Sequence, residues 1–316
     1  EVAQKLSLGS GIQKMSEFRQ PESEEEFAKT IEKSAGIAEI YPEDKYKIVK
    51  GLQRMKHVVG MTGDGINDAA ALRQAEVGIA VRSATDVAKG AASAVLTVDG
   101  LEPMIEMIKT GRMVYQRILT WVVNKVVKTF QVVVFVVLAF LMTGDFVVSI
   151  FSMVLYLFLT DFATLSISTD RVRYSRKPDT WNIGWLVKVG ILVGVLTVGE
   201  SLLILYFGMT VFGLAGEVDR LHMFILVYLV FSGLFNVFIL REREYFWRSR
   251  PSTPLLTTMI VDVALVVGIS LLGLYNLPSI SPAELALALG WALTGSLVVN
   301  DLVKAKFVGV FGKAEL

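Results

Sequence analysis

Cysteine is absent from the 316-residue sequence, which excludes disulfides, thiolate metal sites and cysteine nucleophiles. Histidine is almost absent, and neither of its two copies lies in a pattern that indicates metal binding. An excess of one charge is lacking too, because 31 basic and 30 acidic residues leave a net charge of +1. No overall field favours nucleic acid, so we expect no nucleic-acid partner.

Apolar residues, in contrast, are abundant. They make up 53% of the sequence, and the mean hydropathy of +0.55 is too high for an ordinary soluble domain. Residues 1–100 have the mixed composition of a soluble domain, whereas residues 118–307 are dominated by long runs of Val, Leu, Ile and Phe. We expect this second part to lie in membrane lipid.

Short apolar runs alternate with helical patterns in residues 1–100. Strands are predicted at 35–41, 57–61, 76–81 and 95–98, and helices at 42–55, 67–74 and 83–94. Because helices connect these strands, the strands should form a parallel sheet. The sequence therefore predicts a partial α/β domain followed by an all-α transmembrane region.

Six apolar stretches are near or above the length that crosses about 30 Å of hydrocarbon. They follow a predicted stalk helix at 101–117 that runs into the first span, and they precede a tail at 308–316. The predicted spans are 118–141, 146–168, 183–207, 221–240, 255–275 and 284–303.

Basic residues concentrate in the loops at 170–179 and 241–250, while the other three loops contain one Arg between them. Short cytoplasmic loops carry the excess of Lys and Arg in membrane proteins. With six crossings, this bias predicts that the N-terminal domain, both basic loops and the C-terminus are cytoplasmic.

The stretch MTGDGIND at 61–68 places two glycines around an aspartate at the end of a predicted strand. Ligands bind at this edge of open α/β sheets, and glycine lets the backbone approach a phosphate. Asp64 and Asp68 can supply oxygen ligands to Mg²⁺, and Lys45 can bring a positive charge to the same edge. These groups suit phosphoryl transfer. A D-G pair beside Asn-Asp is also an ordinary turn signal.

The longer stretch MTGDGINDAAALRQAEVGIAV resembles the hinge motif of P-type ATPases, TGDGxNDAPAL followed by a basic residue and xAxxGIA. PEDKYKIVKGLQ resembles the family's segment whose lysine, Lys45 here, binds the phosphoryl group. LTDFATLSISTDRVRYSRKPDTW resembles the sixth membrane helix and following loop of the plasma-membrane proton pumps of fungi, plants and archaea. The resemblance covers nearly all of the chain. It implies a HAD-like domain and ATP-driven proton export across the plasma membrane.

The resemblance also implies roles for the residues of the turn. Asp64 would be a Mg²⁺ ligand, Asp68 would hold the metal environment, and Asn67 would bond the phosphoryl group. Thr62 and Gly63 would lie against the same site. The implied cofactors are Mg²⁺ and ATP. One departure is Ala70, where the family usually has proline, and it matters little because alanine is a good helix former.

Three parts of the family's pattern are missing from the sequence. These are the D-K-T-G-T motif of the phosphorylated aspartate, the T-G-E-S loop, and the nucleotide domain between them. We therefore expect the chain to be the C-terminal part of a pump and to be inactive alone. Its partner would be the N-terminal part, with the actuator, the nucleotide domain and the first four helices.

Polar residues within spans are costly, at about 2.5–3.5 kcal/mol for a charged group on insertion scales, and invite a functional interpretation. On the first span Asn124, Lys128 and Gln131 are four and three residues apart, on one helical face. An alternative is that Lys125 and Lys128 extend to the headgroups at the nearby membrane boundary.

Asp161, preceded by Thr160, lies in the interior of the second span, from which a short carboxylate cannot reach the surface. Facing inward, it can pair with Lys125 or Lys128. The resemblance places it at the proton-binding carboxylate of the pumps. Gln131 stands where plant pumps have an arginine, which makes Lys128 the substitute candidate for the cation that assists proton release.

Glu200, Asn236 and Asp262 are further polar residues within spans. Glu200 is either a second ion ligand or a hydrogen-bond partner, and the structural interpretation is favoured. Asp262 lies near the predicted cytoplasmic end of its span, so we expect it to be half solvated.

Other functions remain open from the sequence. The pump could carry Mg²⁺, K⁺ or Ca²⁺, although Ca²⁺ takes six to eight oxygen ligands and the spans have few clustered carboxylates. The chain could instead be a phosphatase with a membrane anchor, which the missing nucleophile and the six spans oppose. A third alternative is a non-catalytic fragment that partners a pump.

Overall fold

The computed structural model describes residues 12–18, 24–100, 102–174 and 182–311. The chain divides into a unit that ends at Ile108 and a unit that begins at Lys109. Small parallel sheets with helices form the first unit, and the described chain has six helices long and apolar enough to cross a membrane. The predicted fold class is therefore confirmed. Parts of the predicted N-terminal domain (1–11 and 19–23), stalk helix (101), basic loop (175–181) and tail (312–316) lie outside the described residues.

Two small sheets form the first unit. In one, β1 (Ile12–Lys14) pairs in parallel with β2 (Gly36–Ala38). The other has the order β3 (Gly60–Gly63), β4 (Val77–Ala80), β5 (Ala94–Val95), all parallel. The helices are α1 (Glu24–Lys33), α2 (Pro42–Arg54), α3 (Ala69–Gln74) and α4 (Asp86–Ala91). The sequence pattern gives no signal for β1, which is only three residues long.

Local sequence explains the start of α2 and its packing. Pro42 lies in the first turn, where its fixed φ suits a helix, and the Asp44 carboxylate accepts the N–H of Tyr41 at 3.1 Å. Further along, Val49 is buried in a small core with Ala71 of α3. A side chain on Gly78 of β4 would overlap the backbone of Leu72, so glycine permits the close packing of β4 on α3.

The second unit is helical. Its first helix, α5 (Glu102–Thr143), begins before Lys109 and covers residues 102–117 of the predicted stalk and the predicted first span. It is followed by α6 (Ile150–Ser166), α7 (Ile183–Val211), α8 (Val218–Leu240), α9 (Thr253–Leu272), α10 (Pro282–Ala292), a π-helix (Leu293–Asn300) and α11 (Asp301–Phe311). The last three form one continuous helical span, Pro282–Phe311.

The helix α8 is the centre of this bundle. In its most apolar window 89% of the residues are buried, against 28–56% in the other spans. It packs against α6, α7, α9, α10 and the π-helix. A helix surrounded in this way needs apolar residues on every side, which explains its nearly uniform apolar sequence.

Side-chain caps start the later helices. Ser252 accepts the N–H of Leu255 at 3.3 Å at the start of α9. At the start of α10, Ser281 and Glu284 bond reciprocally, with Ser281 N–H donating to the Glu284 carboxylate at 2.6 Å. The end of α9 is set by Gly273, whose φ of +79° favours glycine.

Candidate functional site

The MTGDGIND stretch forms the end of β3 and the turn after it. The strand runs parallel to β4, from Gly60 opposite Val77 to Gly63 opposite Ala80. The chain then turns through a short 3₁₀ helix, Ile66–Asp68, into α3. Asp64 therefore lies just beyond the C-terminal end of β3. Its carboxylate is exposed and has no hydrogen-bond partner within the described residues, so it is open to a ligand.

Asp68 is the buried carboxylate of this turn, with 6% of its side chain exposed. Its Oδ1 accepts from Lys45 Nζ at 2.5 Å, and its Oδ2 accepts from the N–H groups of Asp64 and Gly65 at 3.1 Å each. Burial raises the pKa of the Asp68 carboxyl, but the bonds from Lys45, Gly65 and Asp64 and the charge of Lys45 outweigh it. The pKa is lowered overall, so Asp68 is ionised at neutral pH.

Gly63 permits this arrangement. A Cβ at this position would lie 2.7 Å from Cγ and 2.8 Å from Oδ2 of Asp68. Such distances are too short for real contacts, so any larger residue would push Asp68 away from the N–H groups that it accepts from. The spacing of the first glycine and the last aspartate in MTGDGIND thus has a steric reason.

The other predicted residues of the site surround this turn. The structure brings Lys45 from α2 against Asp68, although the two are 23 residues apart in sequence. Thr62 and Asn67 lie before and after Asp64, and both are exposed. Neither side chain has a hydrogen bond in the part of the chain that the structure describes. The turn therefore presents one free carboxylate, one hydroxyl, one amide and one ammonium group.

The donor set limits which metal the turn can hold. Within residues 12–18, 24–100, 102–174 and 182–311, no group of three or more His, Asp or Glu side chains is placed to hold a metal ion. Mg²⁺ usually takes one or two protein carboxylates and completes its shell with water and phosphate oxygens. The free carboxylate of Asp64 fits this requirement, whereas both oxygens of Asp68 already accept hydrogen bonds within the turn.

In the second unit, two lysines of α5 converge on Asp161 of α6. The Oδ1 atom of Asp161 accepts from Lys125 Nζ at 2.7 Å and from Lys128 Nζ at 3.3 Å. Lys128 also donates to Thr160 Oγ1, and its ammonium lies 4.9 Å from the centre of the Tyr156 ring. The Lys128 side chain is 8% exposed, so it does not extend outward, whereas Asp161 is 48% exposed.

Two further predicted residues of α5 lie in the bundle interior. Asn124 is buried, and its Nδ2 has no hydrogen-bond partner among the described residues. Gln131 is fully buried and donates to Ser201 Oγ at 3.1 Å and to Ser232 Oγ at 3.2 Å. Gln131 thus faces α7 and α8, whereas Lys128 and Lys125 face Asp161 on α6.

The interior also holds two carboxyls without a cationic partner among the described residues. Glu200 of α7 is buried, and Asn300 Nδ2 donates to its Oε2 at 3.4 Å. Asp262 was expected to be half solvated, and this is wrong: it is 2% exposed, with Oδ2 unbonded. The reason is that Asp262 lies on the same helical stripe as Met259 and Val266, which packs into the core.

Sequence reasoning missed several polar contacts. Arg241, after α8, bonds the Asp170 carboxylate at 2.8 Å, and both side chains are 1% exposed. Asp170 also accepts the N–H of Ser252 at 2.9 Å. Asn300, opposite Glu200, was missed too, because it lies 100 residues away in sequence. The only available signals were polar residues at the ends of apolar runs.

The chain is similar to a protein of Methanocaldococcus jannaschii that carries the provisional name of a cation-transporting ATPase. The two are 34% identical over 252 residues, which cover 78% of this chain and 31% of that protein. The chain therefore spans less than a third of its relative's length. No family model matches the chain. The six apolar helices support a multi-pass membrane protein.

Proposed function

We propose, from the premise that this chain is homologous to part of a cation-transporting ATPase, that it is the C-terminal part of a P-type proton pump. The N-terminal part would supply the phosphorylated aspartate, the actuator, the ATP-binding domain and the first four helices. The chain would be inactive alone, because it contains no D-K-T-G-T motif. The pump would export protons through the membrane unit at the expense of ATP.

The observation that carries the proposal is the carboxylate of Asp161 within α6, held by Lys125 and Lys128. A carboxylate is a suitable proton carrier, since it gains a proton in a dry site and loses it when a cation approaches or water enters. The cations are already present here, at 2.7 and 3.3 Å from Oδ1. A movement that withdraws the lysines would therefore favour proton uptake by Asp161, and their return would favour proton release.

The same geometry disfavours a metal cation as cargo. Two ammonium groups already occupy Oδ1 of Asp161 and would repel an arriving cation. A proton needs a single oxygen, and Oδ2 has no hydrogen-bond partner among the described residues. Ca²⁺, K⁺ and Mg²⁺ need several oxygen ligands, so they are the weaker alternatives.

In the first unit we assign the turn after β3 to phosphoryl transfer. When bound, Mg²⁺ neutralises charge on the transferring phosphoryl group. Asp64 would hold the metal through its free carboxylate, and Asp68 would keep the turn closed through the N–H groups that it accepts. Lys45 lies beside this turn, where its partly exposed ammonium can bind a phosphoryl oxygen. Thr62 and Asn67 would add hydrogen bonds from the rim.

The charges in the loops support an orientation. The described part of the loop after α6 contains Arg171 and Arg173, and the loop after α8 contains Arg241, Arg243, Arg248 and Arg250. Basic loops stay in the cytoplasm. We therefore propose that the first unit, these loops and the C-terminus are cytoplasmic, with the pump in the plasma membrane.

The test is ATP-driven acidification of proteoliposomes that contain the complete pump, with wild type compared with Asp161→Asn. We expect the substitution to abolish acidification while phosphorylation of the enzyme by ATP survives, because only the carrier carboxyl is removed. Asp145→Asn is the matched control, since Asp145 is an exposed carboxyl in the loop after α5, and it should pump normally.

ATP hydrolysis by wild type without acidification would refute proton transport and make Asp161 a candidate ligand for another cation. Full pumping by Asp161→Asn would refute the role of Asp161 while leaving the proton assignment intact. If Asp161→Asn and Asp145→Asn both lost phosphorylation by ATP, the substitutions would have damaged the folding of the pump. The Asp145→Asn control is included to detect that outcome.

A further inference from the structure

Glu200 lies deep in the second unit. Eleven residues separate it from the end of α7 at Val211, which corresponds to about 16 Å along a helix. Its side chain is buried where α7 meets the last span, and Asn300 Nδ2 of that span donates to its Oε2 at 3.4 Å. The backbone of Glu200 is held by α10 as well, because Trp291 Nε1 donates to the backbone oxygen of Glu200 at 3.1 Å.

A π-helix brings the backbone against this carboxyl. In the π-helix Leu293–Asn300, a Cβ on Gly295 would lie 2.5–2.7 Å from the carboxyl atoms of Glu200. Only glycine lets the two come so close. π-helical segments are rare and often occur at functional sites, because they re-aim side chains that a regular helix would spread. Here the segment presents Gly295 and Asn300 to the carboxyl of Glu200.

Each of these two hydrogen-bonded side chains has a second oxygen without a partner. Glu200 Oε1 and Asn300 Oδ1 are both buried without a hydrogen-bond partner in the part of the chain described here. An ionised carboxylate and an amide carbonyl are both acceptors only, so they cannot bond to each other. One added hydrogen on Oε1 changes this, because a carboxylic acid can donate to Oδ1 while the amide donates to Oε2.

The charged groups around Glu200 also favour a neutral, protonated carboxyl. The buried titratable groups on the elements that pack against α7 are Tyr228 of α8, Lys128 of α5, Glu284 of α10, and Asp301 and Lys304 of α11. Lys128 bonds Thr160 and Asp161, Glu284 pairs with Arg220, and Asp301 pairs with Lys304. Tyr228 lies within electrostatic range of Glu200, but a phenol is uncharged at neutral pH. No described cation therefore neutralises Glu200.

We propose that Glu200 is a second proton-binding carboxyl of the membrane unit, protonated at Oε1 and sharing that proton with Oδ1 of Asn300. The proton comes from water. It forms the O–H bond of a neutral acid, which removes an unpaired charge from an apolar region. It also satisfies both unmatched oxygens at once. The site is separate from Asp161, whose Oδ1 bonds two lysines in this structure, and it does not depend on the pump proposal.

The test is infrared spectroscopy of the full chain in lipid nanodiscs at neutral pH. Wild type should show a C=O stretch of a protonated carboxylic acid that Glu200→Gln loses. Asn300→Ala should shift this band to higher frequency, because the acid loses its hydrogen-bonded partner. Incorporation of glutamate labelled with ¹³C at the side-chain carboxyl should shift the band in wild type, which identifies a glutamate without any substitution.

Glu284→Gln is the matched control. Glu284 is equally buried but ion-paired with Arg220 at 2.9 Å, so its loss should leave the protonated-acid band unchanged.

An unchanged spectrum in Glu200→Gln, or a label-insensitive band, would overturn the proposal by showing an ionised Glu200. So would replacement of the band by carboxylate bands when choline in the buffer is replaced by Na⁺ at fixed pH, since that result identifies an alkali-cation site. No shift in Asn300→Ala would overturn the shared proton. The readout requires neither ATP nor transport, so it can fail or succeed independently of the pump proposal.

Discussion

The two units hold the carboxylates of their candidate sites by different means. Asp68 in the first unit receives two backbone N–H groups and one lysine. Asp161 in the second unit has no backbone donor among the described residues and is held by the side chains of Lys125 and Lys128. The physical reason is that a turn has unused N–H groups, whereas those of a helix are already bonded to carbonyls one turn back. A carboxyl within a membrane helix must therefore recruit long side chains from a neighbouring helix or give up its charge.

Asp170 is held both by a backbone N–H group and by a side-chain cation. It follows the 3₁₀ helix Ile167–Thr169, beyond the end of α6, and the backbone N–H of Ser252 reaches it at 2.9 Å. It still needs Arg241, whose guanidinium is buried with it. The site thus combines the backbone donors of a turn with the ion pairing of the bundle, and it offers the strongest test of the comparison.

The largest effect is expected for Asp170→Ala. It leaves Arg241 as a buried, uncompensated charge and should lower the free energy of unfolding by about 3–5 kcal/mol. The measurement is unfolding of the full chain in nanodiscs, followed by tryptophan fluorescence. The control is Glu244→Ala, which removes an exposed ion pair with Arg248 and should cost less than about 1 kcal/mol. Equal effects of the two changes would show that burial of the pair does not matter.

A smaller effect is expected for Asp68→Asn, which removes the ion pair and weakens the N–H bonds of the turn. Hydrogen bonds to a charged group contribute about 1.5–3 kcal/mol, and the loss should appear as faster hydrogen exchange at residues 60–68. Asp64→Asn is the control, because that carboxylate has no described partner.

The effect of Asp68→Asn should depend on pH. The folded pKa of Asp68 is lowered, so its stabilisation is fully present above the unfolded pKa of about 3.9 and is lost as the pH falls through the folded pKa. Wild type and variant should therefore differ at neutral pH and converge in acid. A difference that persists in strong acid would contradict this origin.

The smallest losses of stability are expected at helix caps. In both units a side-chain hydroxyl accepts a backbone N–H at the start of a helix. Thr85 accepts the N–H of Ala88 at 3.3 Å and is exposed, whereas Ser252 accepts the N–H of Leu255 at 3.3 Å and is buried. We expect Thr85→Ala to cost about 0.5–1 kcal/mol and Ser252→Ala up to about 2 kcal/mol, because water can take the place of the exposed Thr85 hydroxyl but not of the buried Ser252 hydroxyl. Hydrogen exchange at Ala88 and Leu255 measures both. A larger loss for Thr85→Ala would reverse the comparison.

The sequence was more informative about the fold than about the sites. Span number follows from length and hydropathy, and six helices long and apolar enough to cross a membrane are found among the described residues. The strand predicted at 57–61 is found at Gly60–Gly63, since an apolar run alone does not define where pairing begins. MTGDGIND pointed to Asp64 and Asp68, but not to the clash that explains Gly63. The functional roles of these residues, and of Asp161, stay predictions.

By itself, the sequence determined the two-part organisation, the parallel connection of the strands and the six spans, because these depend on composition, hydrophobic period and run length. Only the tertiary structure decided that Asp161 meets two lysines, that Asp262 is buried, and that Glu200 faces Asn300. These outcomes depend on which faces of neighbouring helices meet. Packing between helices far apart in sequence fixes those faces, and periodicity within one helix does not encode it.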